Sequence, residues 1–231
     1  MNNLILAIDT STKSASVALA GASSNKILAE FFINTGLTHS ETLLPMIEQL
    51  FLGSRADKRQ LQYIAISEGP GSFTGLRIGA AFAKGLAMAC KIPIIPIGTL
   101  EILAYNIRFC DSLIVPILDA RRSQVYSAIF CGAERLTEDG ALDFDELVEL
   151  VLSKKKPAVF VGDAVEIFAE QICSHPQFSI ADAQHNFPKA DALAMIAAKS
   201  ADRAIDAADF APVYIRKPQA QREMEANVKN A

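Results

Sequence analysis

Two apolar runs along the chain each end in an aspartate and are followed by a second run. Residues 4–9 form the first of these runs, and after a polar turn the segment 14–19 alternates small or polar with apolar side chains. Residues 113–119 and 125–130 repeat this arrangement in the second half. Short apolar runs bounded by polar turns are typical of buried strands, so each pair predicts a hairpin.

Apolar residues at helical spacing predict helices between and after these strands. The segment 38–41 reads Thr-His-Ser-Glu, the form of a capping box, and it predicts a helix over 38–52. A strand over 61–67 runs into a glycine-rich turn and then a helix over 74–90, one flank of which carries very small residues. Further strands are predicted at 27–33, 92–97 and 158–163, and further helices at 99–108, 165–173 and 191–208.

The order of these elements is similar in the two halves of the chain. An internal duplication of this kind favours two similar α/β domains that face each other. A length of 231 residues allows two domains of about 100 residues each. We therefore predict an N-terminal domain over 1–105, a C-terminal domain over 106–210, and a closing segment with a loose tail over 211–231.

Composition narrows the class of protein. The hydrophobic fraction of 51% and the charged fraction of 21% are those of a globular chain and exclude a disordered or fibrous one. The net charge of −4 does not support a basic nucleic-acid clamp. The four cysteines form no CxxC pair, no signal peptide is visible, and the most apolar stretch (76–105) is interrupted by charges and prolines. We expect a cytoplasmic chain without a membrane span.

Few residues are candidates for metal or nucleophilic chemistry. The three histidines form neither HxxxH nor HExxH, and no GxSxG is present, which disfavours a metallopeptidase or a hydrolase. His39 lies within the capping box, where a surface or cap role is commoner than ligation. Asp9 with Thr10 and Ser11 reads either as a turn that cradles nucleotide phosphates or as a plain turn, and the sequence leaves both open.

Four segments together resemble the TsaB (YeaZ) family of bacterial tRNA threonylcarbamoyladenosine biosynthesis proteins, which are paralogues of TsaD. These segments are residues 5–11, 69–79, 119–126 and 212–216. The resemblance implies two actin-like ATPase-superfold domains, each a mixed sheet with flanking helices. It also implies a non-catalytic subunit that binds and activates TsaD together with TsaE. TsaD transfers the threonylcarbamoyl group to the adenosine next to the anticodon.

The resemblance also bears on cofactors. TsaD-like proteins carry an HxxxH metal motif, and the corresponding residues of this chain are Thr99 and Leu103, which cannot form that site. We therefore expect no metal, no catalytic residue and no cofactor on the isolated chain, with ATP or ADP present only in the complex with TsaD and TsaE. Gln124 stands where the family often has glutamate.

In the family, two N-terminal helices form the partner surface, and they correspond here to the helices at 38–52 and 74–90. The residues expected at that surface are Leu43, Ile47, Leu50, Gly75, Gly79, Phe82, Ala83 and Leu86. The small residues would permit close backbone approach and the larger ones would supply apolar area. The same surface would form a homodimer when TsaD is absent, and tRNA would be contacted mainly through the complex.

The alternative function is a stand-alone ATPase or a kinase-like phosphotransferase of the same superfold. A nucleotide would then occupy a cleft between the two domains. The residues expected to line that cleft are Asp9, Thr10, Ser11, Asp119 and Gly162. In the helper subunit the same cleft would be vestigial.

Overall fold

Apolar strands, most of them buried, form the first of two mixed sheets. The computed structural model describes residues 3–24 and 26–216, so the predicted tail from residue 217 onward lies outside the described residues. The strands of the first sheet are β1 (Leu4–Asp9), β2 (Ala15–Gly21), β3 (Ile27–Ile33), β4 (Leu61–Gly69) and β5 (Ile94–Gly98). Their order is β3-β2-β1-β4-β5, with β2 antiparallel to both β1 and β3, and with β4 and β5 parallel to β1.

The second sheet repeats this topology. Its main strands are β6 (Leu113–Asp119), β7 (Gln124–Ser127), β10 (Gly140–Asp143), β11 (Ala158–Val161) and β12 (Phe178–Ile180). The order β10-β7-β6-β11-β12 has the same directions as the first sheet, and a small hairpin of β8 (Phe130–Cys131) and β9 (Glu134–Arg135) extends from β6. The matching orders confirm the predicted duplication and the α/β fold class, with a mixed sheet and flanking helices in each half.

Helices follow corresponding strands in the two halves. They are α1 (His39–Ser54), α2 (Phe73–Cys90), α3 (Thr99–Asn106), α4 (Phe144–Ser153), α5 (Ala169–Cys173) and α6 (Ala190–Ala197). In chain order, α1 connects β3 to β4 and α2 connects β4 to β5. In the second half, α4 connects β10 to β11 and α5 connects β11 to β12. Within the described ranges, no helix combines the length and the apolar character that a bilayer crossing needs.

The last helix of each half packs across the predicted division of the chain. Leu193 of α6 lies in one apolar cluster with Ile5 and Ile95 of the first sheet. Leu103 of α3 lies in another cluster with Ile114 of the second sheet. Each half thus contributes its last helix to the packing of the other half's sheet. The predicted boundary between residues 105 and 106 stays a prediction.

Several elements are shorter in the structure than the sequence pattern predicts. The helix predicted over 191–208 ends at Ala197, because the chain turns so that Ile205 can pair with Ile94 of β5. The helix predicted over 165–173 begins only at Ala169. The return strand predicted over 125–130 stops at Ser127, where the N–H of Ile129 donates to the Thr137 hydroxyl at 2.9 Å.

Candidate functional site

Asp9 ends β1 and is fully buried. Its Oδ1 accepts a hydrogen bond from the Ser11 hydroxyl at 2.7 Å. Burial raises the pKa of Asp9 to about 6, and the hydroxyls of Ser67 and Ser11 offset only part of this rise. The Ser67 hydroxyl lies beside the carboxylate, but within the described chain Asp9 Oδ2 makes no hydrogen bond of good geometry. Asp9 is thus enclosed in the protein.

The glycine-rich loop 69–75 covers the turn that follows Asp9. The N–H of Ser72 donates to the carbonyl of Ser11 at 2.6 Å. A Cβ on Gly71 would overlap that same carbonyl, so the loop can lie this close only with glycine at position 71. The spacing of glycines in this segment therefore serves packing between β1 and α2.

An open cleft of about 850 Å³ lies between the two sheets. Three of the five residues predicted to line a cleft do so: Ser11, Asp119 and Gly162. The prediction is corrected for Asp9 and Thr10, which are buried in the protein and do not line the cleft. Aromatic and charged side chains line the rest of the cleft, among them Lys13, Phe73, Tyr126, Asp163, Tyr214 and Arg216.

Charges of both signs face each other at the second-sheet side of the cleft. Asp163 Oδ1 accepts from the Asp119 N–H at 3.0 Å, and Arg121 forms an ion pair with Asp119 at 3.2 Å. Burial raises the pKa of Asp163, although its hydrogen bond from Asp119 opposes the rise. The backbone of Gly162 has φ of +128°, and a side chain there would overlap the Ile117 carbonyl. This wall suits a polar ligand of mixed charge better than a polyanion.

The small flank of α2 predicted as a partner surface faces the inside of the protein. A Cβ on Gly75 would overlap the carbonyl of Thr10, and one on Gly79 would overlap the Thr10 hydroxyl. Ala83 is fully buried. The prediction is corrected for these three residues, because the turn after β1 occupies the space beside Gly75 and Gly79 and the core of the first sheet encloses Ala83.

The apolar residues predicted on the same surface divide into two groups. Leu43, Ile47 and Leu50 are buried in the core between α1 and the first sheet, so the prediction is corrected for them as well. The sheet takes this face of α1 because it needs apolar cover. Phe82 and Leu86 are half-buried at the edge of the same core and reach the surface.

A different face of these helices points outward. On α2, Ala81 and Gly85 are exposed and Met88 is 62% exposed, and a Cβ on Gly85 would meet no atom within 4 Å. On the neighbouring α1, Leu44 is 51% and Leu52 is 71% exposed. We call these five residues the outer face. The i, i+4 spacing of Ala81 and Gly85 was visible in the sequence, but both flanks of α2 carry small residues and periodicity alone does not say which is buried.

His39 and the two positions compared with the TsaD metal motif are all buried in the structure. His39 is buried, and its Nε2 lies 2.9 Å from the Thr12 carbonyl. Its expected surface position is therefore wrong, although it begins α1 within the predicted capping box, in which Glu41 accepts from the Thr38 N–H. Thr99 and Leu103 are fully buried in α3. In the described part of the chain, no three His, Cys, Asp or Glu side chains form a group that could hold a metal.

Comparison with known proteins places the chain in a family. Residues 26–224 match the family model described as TsaD, tRNA N6-adenosine threonylcarbamoyltransferase. A Bacillus subtilis (strain 168) protein named tRNA threonylcarbamoyladenosine biosynthesis protein TsaB is 33% identical over 224 residues, which cover 94% of this chain and 96% of the relative. This chain belongs to the TsaB family.

Further relatives agree with this assignment. The TsaB protein of Escherichia coli (strain K12) is 35% identical over 126 residues, which cover 54% of this chain and 53% of the relative. A solved Pseudomonas aeruginosa structure, described as an uncharacterized protein with similarity to peptidase YEAZ, has a TM-score of 0.80 and 26% identity. It covers 93% of this chain and 100% of its own. These similarities in sequence and structure confirm the TsaB resemblance that four short segments indicated.

Proposed function

We propose that this chain is a non-catalytic subunit in the threonylcarbamoyladenosine modification of tRNA, and that it binds and activates TsaD together with TsaE. Family membership supports the pathway, since curated TsaB relatives are named for this biosynthesis. The observation that carries the binding role is the outer face on α1 and α2. Because tRNA is the substrate of this modification, we expect the chain to act in the cytoplasm.

The outer face has the composition of a contact surface. Leu44, Leu52 and Met88 expose more than half of their side chains, and large exposed apolar groups on neighbouring helices mark interaction sites. Ala81 and Gly85 are small and exposed on α2, so they allow another helix to approach its backbone. The half-buried Phe82 and Leu86 extend this surface, and we assign the partner contact to it instead of to the buried flank.

The non-catalytic role is supported by the positions that matter in the paralogue. Thr99 and Leu103 stand where the resemblance places the TsaD histidines, and neither side chain offers an imidazole. We assign no cofactor to the isolated chain, and ATP or ADP belongs to the complex with TsaD and TsaE. tRNA is then held mainly by the complex, and in the absence of TsaD the outer face pairs two copies of this chain.

A reconstitution tests the proposal. TsaC, TsaD and TsaE are incubated with tRNA and their substrates, with and without this chain, and modified nucleoside is measured after digestion. We expect product only when the chain is present, and none when the chain and tRNA are incubated alone. Full product without the chain would overturn the proposed requirement, and product from the chain alone would assign it a transferase activity.

A stand-alone ATPase or kinase-like phosphotransferase is the second candidate, and the cleft is the observation in its favour. Ser11, Asp119 and Gly162 line a space of about 850 Å³, which is large enough for a nucleotide. Against it, Asp9 is fully buried and does not line the cleft, so its carboxylate is not presented to a cation there. Calorimetry with magnesium-ATP and a phosphate-release assay on the isolated chain separate the two candidates.

A further inference from the structure

The segment 208–216, called the strap here, leaves the first core along α2. Lys84 Nζ donates to the carbonyl oxygens of Ala208 at 3.0 Å and Phe210 at 2.8 Å. Phe210 is almost fully buried in the core between the first sheet, α1 and α2. The beginning of the strap is therefore fixed to the first sheet and its helices.

The strap is held again at the first turn of α2. The Val213 N–H donates to the carbonyl of Glu68 at 2.7 Å. The Tyr214 ring lies 5.0 Å from the Phe73 ring, centre to centre, and Arg77 Nε donates to the Tyr214 hydroxyl at 3.4 Å. The Arg77 guanidinium also covers the Phe73 ring at 3.8 Å. These contacts attach the strap to the first half by several independent interactions.

The end of the described strap reaches the other side of the cleft. Arg216 Nη1 donates to the Ala120 carbonyl at 2.9 Å, directly after β6. Residues 213–216 line the cleft, so the strap crosses it from the first sheet to the second. In the described chain this is the one hydrogen bond between the strap and the second half, and a strap so attached releases first at Arg216 when the sheets separate.

Arg77 connects the strap to the outer face. It is exposed on α2, four residues before Ala81 and eight before Gly85, and thus on the same stripe of the helix. A protein that docks on this stripe meets Arg77, and any movement of Arg77 changes its contacts with Tyr214. The outer face and the cleft are therefore joined through Arg77, Tyr214 and Arg216.

We propose that the strap is a latch on the cleft, closed by the Arg216 bond to Ala120 and released when a protein partner engages α2 at Arg77. The release by a partner rests on the proposed binding of TsaD, whereas the latch itself is a property of the isolated chain. In the closed state the strap reduces access to the cleft. Partner docking then opens the cleft without touching it.

Amide hydrogen exchange on the isolated full chain tests the latch. In Arg216→Ala we expect the peptides covering 117–122 and 211–216 to exchange about five-fold faster or more, because local opening becomes easier. Arg216→Lys keeps a cationic donor and should recover part of the protection. Arg122→Ala, an exposed residue in the same turn, is the matched control and should leave exchange unchanged. Equal exchange in wild type and Arg216→Ala would overturn the latch.

The same measurement with purified TsaD tests release. We expect TsaD to speed exchange at 117–122 in the wild type and to have a smaller effect in Arg77→Ala. If TsaD binds and exchange at 117–122 is unchanged or slower, partner-driven release is wrong and the proposed function stands. If TsaD does not bind, the proposed function and the release both fail, while the latch is still decided by Arg216→Ala in the isolated chain.

Discussion

Thr10 and Gly75 join the turn after β1 to the first turn of α2. The Thr10 hydroxyl donates to the carbonyl of Gly75 at 2.9 Å, and a Cβ on Gly75 would overlap the Thr10 carbonyl. The glycine is required because backbone meets backbone at this point. The close approach that its sequence context predicts is therefore used within the chain, and the partner surface that we propose lies on the other flank of α2.

Two glycines of α2 should respond oppositely to the same substitution. Gly75→Ala forces a methyl group against a backbone carbonyl and should destabilise the fold by about 1–3 kcal/mol. Gly85→Ala adds the same group into open space in a helix and should stabilise by up to about 1 kcal/mol. Thermal unfolding measures both, with an expected shift of roughly 2–4 °C per kcal/mol for a chain of this size. Equal shifts for the two variants would contradict the assignment of inner and outer flanks.

The buried Asp9 should make stability depend on pH. Its folded-state pKa of about 6 exceeds the ordinary aspartate value of 3.8, so between these values the folded state binds more protons than the unfolded state. The stabilisation from this group is full below about pH 4 and is lost as pH rises through 6. Asp9→Asn keeps an oxygen that can accept from Ser11 but carries no charge, and should remove this dependence.

Chemical denaturation at several pH values measures the effect. The free energy of unfolding of the wild type minus that of Asp9→Asn should change by about 3 kcal/mol at most between pH 4 and pH 7.5. The variant should become more stable relative to the wild type as pH rises. Because other carboxyl groups are common to both proteins, their contributions cancel in the difference. A difference that does not change with pH would show that Asp9 titrates normally.

Much of the fold was predictable because the two halves repeat one simple pattern. The runs 4–9 and 113–119 each combine consecutive apolar residues with a terminal aspartate, and their strands were placed correctly. Helix α4 was not predicted, although Phe144, Leu147 and Val151 recur at helical spacing on its buried face. The packing of α6 on the first sheet could not be predicted, since an Ala-rich helix fits either sheet equally well.

The site was harder to predict than the fold. The surroundings of Asp9 depend on the loop 69–75, which is about 60 residues away in sequence and reaches the turn after Asp9, where the Ser72 N–H donates to the Ser11 carbonyl. Likewise, Lys13, Tyr126 and Arg216 come together only when both sheets and the strap are in place. Local patterns identify elements well, but a site built from distant turns needs the tertiary contacts.

Two exposed cysteines allow a test of the proposed partner surface without any mutation. Cys90 ends α2 two residues after Met88, and Cys173 lies on α5 in the second half. Binding of TsaD at the outer face should slow alkylation of Cys90 and leave Cys173 unchanged. Peptide mass spectrometry after brief treatment with a maleimide measures both thiols in one sample. Protection of Cys173 with free reaction at Cys90 would place the partner elsewhere.

The central claim is that the outer face of α1 and α2 binds TsaD, and calorimetric titration of TsaD with Gly85→Trp tests it most directly. The indole enters open space in the isolated chain, so the fold should persist, as its unfolding temperature will show. Glu149→Trp on the exposed face of α4 is the control for an added indole. We predict that Gly85→Trp weakens binding by at least about 30-fold while Glu149→Trp binds like wild type. Wild-type affinity in a folded Gly85→Trp variant would contradict the account.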